Sequence, residues 1–163
     1  MKTIYLIRHG KAEEGAGKAD FERDLIGKGE KKTKKISSFL SNQKVKVDLM
    51  LVSLANRTKK TATILAEDLS ISNSKIQIEK ALYLASSNGI LDVIFEVDNR
   101  INNLMIIGHN PGISSLATYL SNNDDLDWMP TSAVAAIEFK TDKWEDLPNA
   151  KSKLVFYKKP ADL

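Results

Sequence analysis

Only two histidines occur in the chain, His9 and His109, and each stands in a glycine-marked turn behind an apolar run. The first turn is Arg8-His9-Gly10 after Thr3–Ile7. The second is Gly108-His109-Asn110-Pro111-Gly112 after Leu104–Ile107. A third polar cluster, Ser53-Leu54-Ala55-Asn56-Arg57, follows the run Val47–Val52. Brought together, two arginines and two histidines with no carboxylate in the same motifs call for an anion. The planar fork of arginine suits phosphate, and a helix starting near Arg57 would add free N–H groups and its dipole. A histidine flanked by Arg8, Arg57 and a second histidine is disfavoured as a cation, so its pKa falls. The neutral ring keeps the lone pair that a nucleophile needs, while its other nitrogen is expected to donate to a backbone carbonyl and fix the tautomer. The second histidine is expected to become cationic as a phosphate dianion arrives, and to stabilise the charge of the transferring group.

The elements that must position these groups read as strands alternating with helices. Thr3–Ile7, Val47–Val52, Ile76–Ile78, Leu104–Ile107, Ala133–Phe139 and Lys153–Tyr157 read as strands. Helical spacing runs from Gly29 to about Asn42, over Ala55–Leu69, through Ile90, Leu91, Ile94 and Val97, and over Ser114–Leu120. The polar stretch Glu13–Asp24 reads as a loop. This alternation predicts an α/β fold, a three-layer α/β/α sandwich with a mostly parallel central sheet. In such sheets the ligand crevice lies at the carboxyl ends of the strands, where all three polar clusters fall.

At 163 residues the sequence reads as a single domain spanning 1–163. The absence of cysteine excludes disulfides, zinc–thiolate sites and thiol catalysis. No apolar run is long enough to span a bilayer, and the N-terminus lacks the form of a signal peptide, so the expected setting is cytoplasmic, with no membrane partner. Net charge is +3, and the lysine-rich Lys28–Lys35 reads as a solvated helix face; with no interleaved aromatics, no nucleic-acid partner is expected. Two histidines flanked by arginines would repel a cation, so no metal site is expected. Trp128 and Trp144 read as packing residues.

The Arg8-His9-Gly10 turn resembles the signature of the histidine phosphatase (phosphoglycerate mutase-like) superfamily. Ser53-x-Ala55-x-Arg57-Thr58-x-x-Thr61-Ala62 resembles its second motif, and Gly108-His109-Asn110-Pro111-Gly112 its third. The resemblance covers nearly the whole chain and extends to SixA-type phosphohistidine phosphatases through Asp20-x-x-Arg23-x-Leu25-x-x-x-Gly29, Ala81-Leu82-Tyr83 and Met129-Pro130-Thr131-Ser132-Ala133-Val134. It implies a phosphoglycerate mutase-like fold, His9 as the phosphorylated nucleophile, and Arg8, Arg57 and His109 completing the phosphate pocket. It implies no metal or organic cofactor. The short connections between Arg57 and His109 leave little room for a cap domain, so no mutase role is expected and the site would be open to a protein surface.

Larger members of this superfamily use a glutamate after the third strand to protonate the leaving oxygen. Here the segment reads Ile78-Glu79-Lys80-Ala81-Leu82-Tyr83, without the surrounding pattern. Glu79 is a candidate acid, but also reads as an exposed strand-end carboxylate. Glu13, Glu14 and Asp20 lie in the first loop, and nothing in their spacing selects one. An alkoxide needs a proton to leave, whereas an imidazole, whose conjugate acid has a pKa of about 6.5, needs far less help. The missing acid therefore points to phosphohistidine on a protein, such as a histidine phosphotransfer domain, or to another activated phosphoramidate. Two other readings stay open: a general phosphatase for small phosphate esters or nucleotides, and a phosphate-binding scaffold without turnover. The expected partner is a phosphorylated protein or small phosphorylated substrate, and the chain is expected to be a monomer. Arg23 is placed to reach substrate or to pair with Asp20 or Asp24. Thr131 and Ser132 are placed to donate to phosphate or to begin the next strand. Ser53 reads as a loop support, since no base is placed to activate it.

Overall fold

The computed structural model describes residues 1–163. Six strands, β1 (Lys2–Arg8), β2 (Leu49–Val52), β3 (Ile76–Ile78), β4 (Asn103–Gly108), β5 (Val134–Phe139) and β6 (Ser152–Lys158), form one sheet in the order β3-β2-β4-β1-β5-β6. The first four in that order run parallel, while β5 pairs antiparallel with both β1 and β6. The helices are α1 (Gly27–Asn42), α2 (Asn56–Leu69), α3 (Ser87–Phe95) and α4 (Gly112–Ser121). This is the mixed α/β, mostly parallel sheet that the strand–helix alternation predicts, and no cap is inserted between its elements.

Strand alternation divides the core in two. Ile4, Leu6, Leu104 and Ile106 face α3 and α4, meeting Ile90, Ile94, Ile113 and Leu116. Tyr5, Ile7, Met105 and Ile107 face the other way and meet Ile36 and Leu40 of α1 and Ala62 and Leu65 of α2. Burying each such aliphatic side chain contributes roughly 1.5–3 kcal/mol, so both helical layers are held to the sheet by apolar area. β2 begins two residues later than its apolar run suggests. Asp48 N–H donates to the Asn103 carbonyl at 2.8 Å, but the Asp48 carboxylate takes the Asn103 N–H at 2.9 Å and the Asn103 side-chain amide at 3.1 Å, so a side chain accepts where a backbone carbonyl would extend the ladder.

Trp144 is fully buried and donates its indole N–H to the Ile101 carbonyl at 2.9 Å. Trp128 is not a packing residue: it is 59% exposed, because the residue that turns into the core at this point is its neighbour Met129.

Register alone brings the polar motifs side by side. Arg8 pairs with Gly108 across β1 and β4, and Val52 pairs with Ile107 across β2 and β4. His9, Ser53 and His109 are each the next residue along, so they leave the sheet together at its carboxyl edge. Gly112 lets α4 start close against the turn before α3, since a Cβ there would stand 2.0 Å from the Ala85 carbonyl oxygen.

Candidate active site

His9 leaves β1 with its backbone clamped from both neighbouring strands. Its N–H donates to the Gly108 carbonyl at 3.1 Å, and its own carbonyl, with that of Arg8, accepts the Ser132 N–H. The next N–H, that of Gly10, donates to Thr61 Oγ1 at 2.9 Å, and Thr61 in turn donates to the Arg57 carbonyl in the first turn of α2. Gly10 must be a glycine, because a Cβ would meet Thr33 Oγ1 at 2.7 Å. The His9 imidazole pairs through Nδ1 with the Gly10 carbonyl at 2.7 Å. A carbonyl can only accept, so Nδ1 carries the proton and Nε2 keeps its lone pair. This is the tautomer a nucleophile requires.

The His9 and His109 rings stand 5.3 Å apart between centroids. Asn110 caps α4 by accepting from the Ser114 N–H at 3.2 Å and the Ser114 hydroxyl at 2.6 Å, which anchors the turn holding His109. His109 itself is buried, with Nε2 at 2.7 Å from Ser53 Oγ and Nδ1 at 3.3 Å from Arg57 Nη2. Arginine has only hydrogens to offer, so Nδ1 accepts and Nε2–H donates to Ser53. Ser53 is thus a ring-orienting partner, a specific form of the support expected of it.

Arg57 is the second residue of α2 and is buried. Its Nη1 donates to the Asp20 carbonyl at 2.8 Å and its Nη2 to the Asp20 carboxylate at 3.0 Å. The pocket therefore is not free of carboxylates. Asp20 enters from the first loop, where it also accepts from Arg23 Nη1 at 3.0 Å and from the Tyr83 hydroxyl. Arg23 pairs with Asp20 and with the Glu13 carbonyl at 2.8 Å, the structural alternative of the two open to it. Glu79 turns back to accept the Ala81 N–H, and Glu13 pairs with Lys18. Ser132 is buried against Thr33 Oγ1 at 2.8 Å and straps the His9 turn to α1. Thr131 precedes it at a half-buried position.

Arg8 is half-buried and donates through Nη1 to the Met129 carbonyl at 3.1 Å. Its Nε is buried without a protein partner. A buried N–H left unpaired is costly, and an anion in the pocket would satisfy it. Burial pushes the Arg8 pKa down, again favouring an anion beside it.

Burial pushes the His9 pKa down to about 3, with His109, Arg57 and Arg8 adding to the fall against the Gly10 hydrogen bond. Burial also lowers His109 to about 4, with Arg57 next in effect. Charge repulsion, the cause anticipated from sequence, is thus second to desolvation. For Asp20 the Tyr83 hydrogen bond leads, ahead of Arg57 and Arg23, and its pKa is held far below the usual carboxylate range. A stability consequence follows for the histidines. Unfolded, each takes up a proton near pH 6.5; folded, not until about 3 and 4. Acidification from pH 7 to 5 therefore protonates the unfolded chain more, and stability falls over that window. The urea midpoint is expected to drop between pH 7 and 5, and neither imidazole to titrate in that range by NMR. A His9 midpoint near 6.5 would overturn this.

Asp20, Tyr83, Ser53 and Trp128 are the site neighbours that spacing did not select. Asp20 and Tyr83 lie inside stretches that resemble family motifs, and Ser53 directly follows a strand. Nothing in the sequence marks Trp128.

The family model of the histidine phosphatase superfamily (branch 1) matches residues 4–83. An uncharacterized protein of Mycobacterium tuberculosis is 25% identical over 163 residues, covering 94% of this chain and 99% of its own. The fold is shared with a candidate phosphohistidine phosphatase SixA from Nakamurella multipartitia, at TM-score 0.84 and 22% identity over 98% of this chain and 96% of that one. It is shared equally with the corresponding Agrobacterium tumefaciens protein, at 0.83 and 24% over 98% of both chains. The protein histidine phosphatase SixA complexed with tungstate matches at 0.83 and 20%, again over 98% of both.

Proposed function

We propose that this chain, whose residues 4–83 match the family model of the histidine phosphatase superfamily and whose fold is shared with SixA structures, hydrolyses phosphohistidine on a protein, through a phosphorylated His9 and without a metal. The substrate's phosphorylated ring takes a proton on its other nitrogen from solvent, and as His9 Nε2 attacks phosphorus the P–N bond breaks, its electron pair staying on the departing nitrogen so that the ring leaves as neutral imidazole. Water then attacks the phosphorylated His9, releasing inorganic phosphate and restoring the neutral ring. Throughout, Nδ1–H stays on the Gly10 carbonyl, so the attacking nitrogen keeps one orientation. Arg8 and Arg57 bind the equatorial oxygens. His109, unprotonated in the free site, gains a proton at Nδ1 once the dianion is bound and Arg57 turns from that nitrogen to the phosphoryl oxygens, and then stabilises the transferring group. No cluster of three His, Cys, Asp or Glu side chains stands ready to hold a metal ion.

The observation that carries the choice of substrate is the state of Asp20. It is the carboxylate held against Arg57, and Tyr83, Arg57 and Arg23 keep it ionised. An ionised carboxylate has no proton to give, so an alkoxide would leave unaided, whereas an imidazole leaves readily. The test is phosphate release from phosphohistidine and from a simple alkyl phosphate, both with chelator present. Phosphohistidine is expected to be favoured by at least 10²-fold in kcat/KM, the scale of the general-acid contribution the site forgoes. Faster turnover of the alkyl phosphate, or dependence on added metal, would overturn the reading.

A further inference from the structure

Trp128 is the exposed aromatic side chain beside Arg8. Its ring lies 5.4 Å from the Arg8 guanidinium carbon, so it borders the anion pocket on the Arg8 side. Tyr83 borders it on the Arg57 side, with its ring edge-on to His109 at 5.5 Å and its hydroxyl on Asp20. The backbone beside Trp128 is fixed. The Met129 carbonyl accepts from Arg8 and from Asn110 at 2.9 Å, while the Met129 N–H donates to Ser114 Oγ at 2.8 Å. A tryptophan left 59% exposed forgoes much of the free energy of burial, and this one stays beside the Arg8 guanidinium. Cation–π contact with Arg8 accounts for part of the ring; the exposed remainder has no partner in the fold.

We propose that Trp128 is a specificity-determining residue that stacks against a flat aromatic leaving group, the imidazole of phosphohistidine. The inference rests on the phosphohistidine reading of the site. A phosphoryl group seated between Arg8, Arg57 and His109, attacked by His9, must release its leaving group outward, past Trp128 and Tyr83. An imidazole ring has an aromatic face for the indole; an amine or an alkyl alcohol has none. Stacking of this kind changes binding by about tenfold.

The experiment compares two small substrates that share a P–N bond and differ in the ring: N-phosphorylated imidazole and phosphoramidate. Trp128→Ala is expected to lower kcat/KM for phosphoimidazole about tenfold and to leave phosphoramidate within about twofold, while Trp128→Phe restores most of the loss. Because Trp144 is fully buried, titration with imidazole in the presence of tungstate is also expected to quench the exposed Trp128 emission in wild type and not in Trp128→Phe. Equal losses on both substrates would mean that Trp128 acts only through Arg8, and no loss on phosphoimidazole would mean that it contacts nothing that reacts; either result overturns the proposal. Wild type inactive on both substrates would remove the phosphohistidine reading and this inference together, a result distinct from an active wild type indifferent to Trp128.

Discussion

His9→Ala is expected to lower kcat on phosphohistidine by roughly 10⁴-fold or more, the largest loss of any single substitution in the chain. In the same variant, covalent phosphate trapped by rapid quenching is expected to vanish. In wild type that label should survive alkali and be lost in acid, as a phosphoramidate does. The size of the effect comes from chemistry that no neighbour can take over. Ser53 is engaged with His109 Nε2 and has no base, and His109 Nδ1 is occupied by Arg57. Alanine also removes the Nδ1 contact to Gly10, so the variant must be shown to fold, by an unchanged far-UV spectrum and binding of tungstate. Residual activity within tenfold of wild type, or a persisting label, would place the nucleophile elsewhere.

Arg57→Ala ranks second, with an expected fall in kcat/KM of roughly 10²–10³-fold, the usual cost of removing a preorganised donor from a site of developing charge. Lysine should rescue little. The guanidinium reaches the Asp20 carbonyl, the Asp20 carboxylate and His109 Nδ1 from one plane, and an ammonium is a point charge that cannot span them. Part of the loss would come through the first loop, which Asp20 docks onto α2. Asp20→Asn separates the two contributions. It keeps the arginine and weakens only the loop contact, and is expected to cost no more than about tenfold. A loss in Asp20→Asn equal to that in Arg57→Ala would show that Arg57 acts by holding the loop and not by binding phosphate.

These residues differ in how far the sequence discloses them. His9 and His109 are legible because they are the chain's only histidines, each at a glycine-marked strand end, and Arg57 because it opens a helix of plain apolar periodicity. The strand–helix alternation likewise gives the class of fold. It also gives the edge at which the motifs gather, because parallel strands deliver their carboxyl ends to one side.

Asp20 is a different case. Its loop carries several carboxylates at no regular spacing, and the choice among them is made by the hydrogen bonds of a short turn against α2 and Tyr83, residues far apart in sequence. The order of causes behind the low histidine pKa values was likewise hidden. Motif residues reveal neighbouring charge, but desolvation depends on how the whole edge of the sheet closes over the rings. Trp128 shows the limit most sharply, since composition and periodicity treat both tryptophans alike. Trp144 goes inside because the lower sheet edge offers its indole a carbonyl and apolar walls. Trp128 stays outside because the core slot at that turn is taken by Met129, whose carbonyl is already spoken for by Arg8 and Asn110. The sequence by itself determined the chemistry available and the edge where it meets, because residue type and strand order are local properties of the chain. Which carboxylate is held ionised, which ring nitrogen carries the proton and which tryptophan stays exposed beside Arg8 were decided only by tertiary structure, because each depends on partners that folding alone brings together.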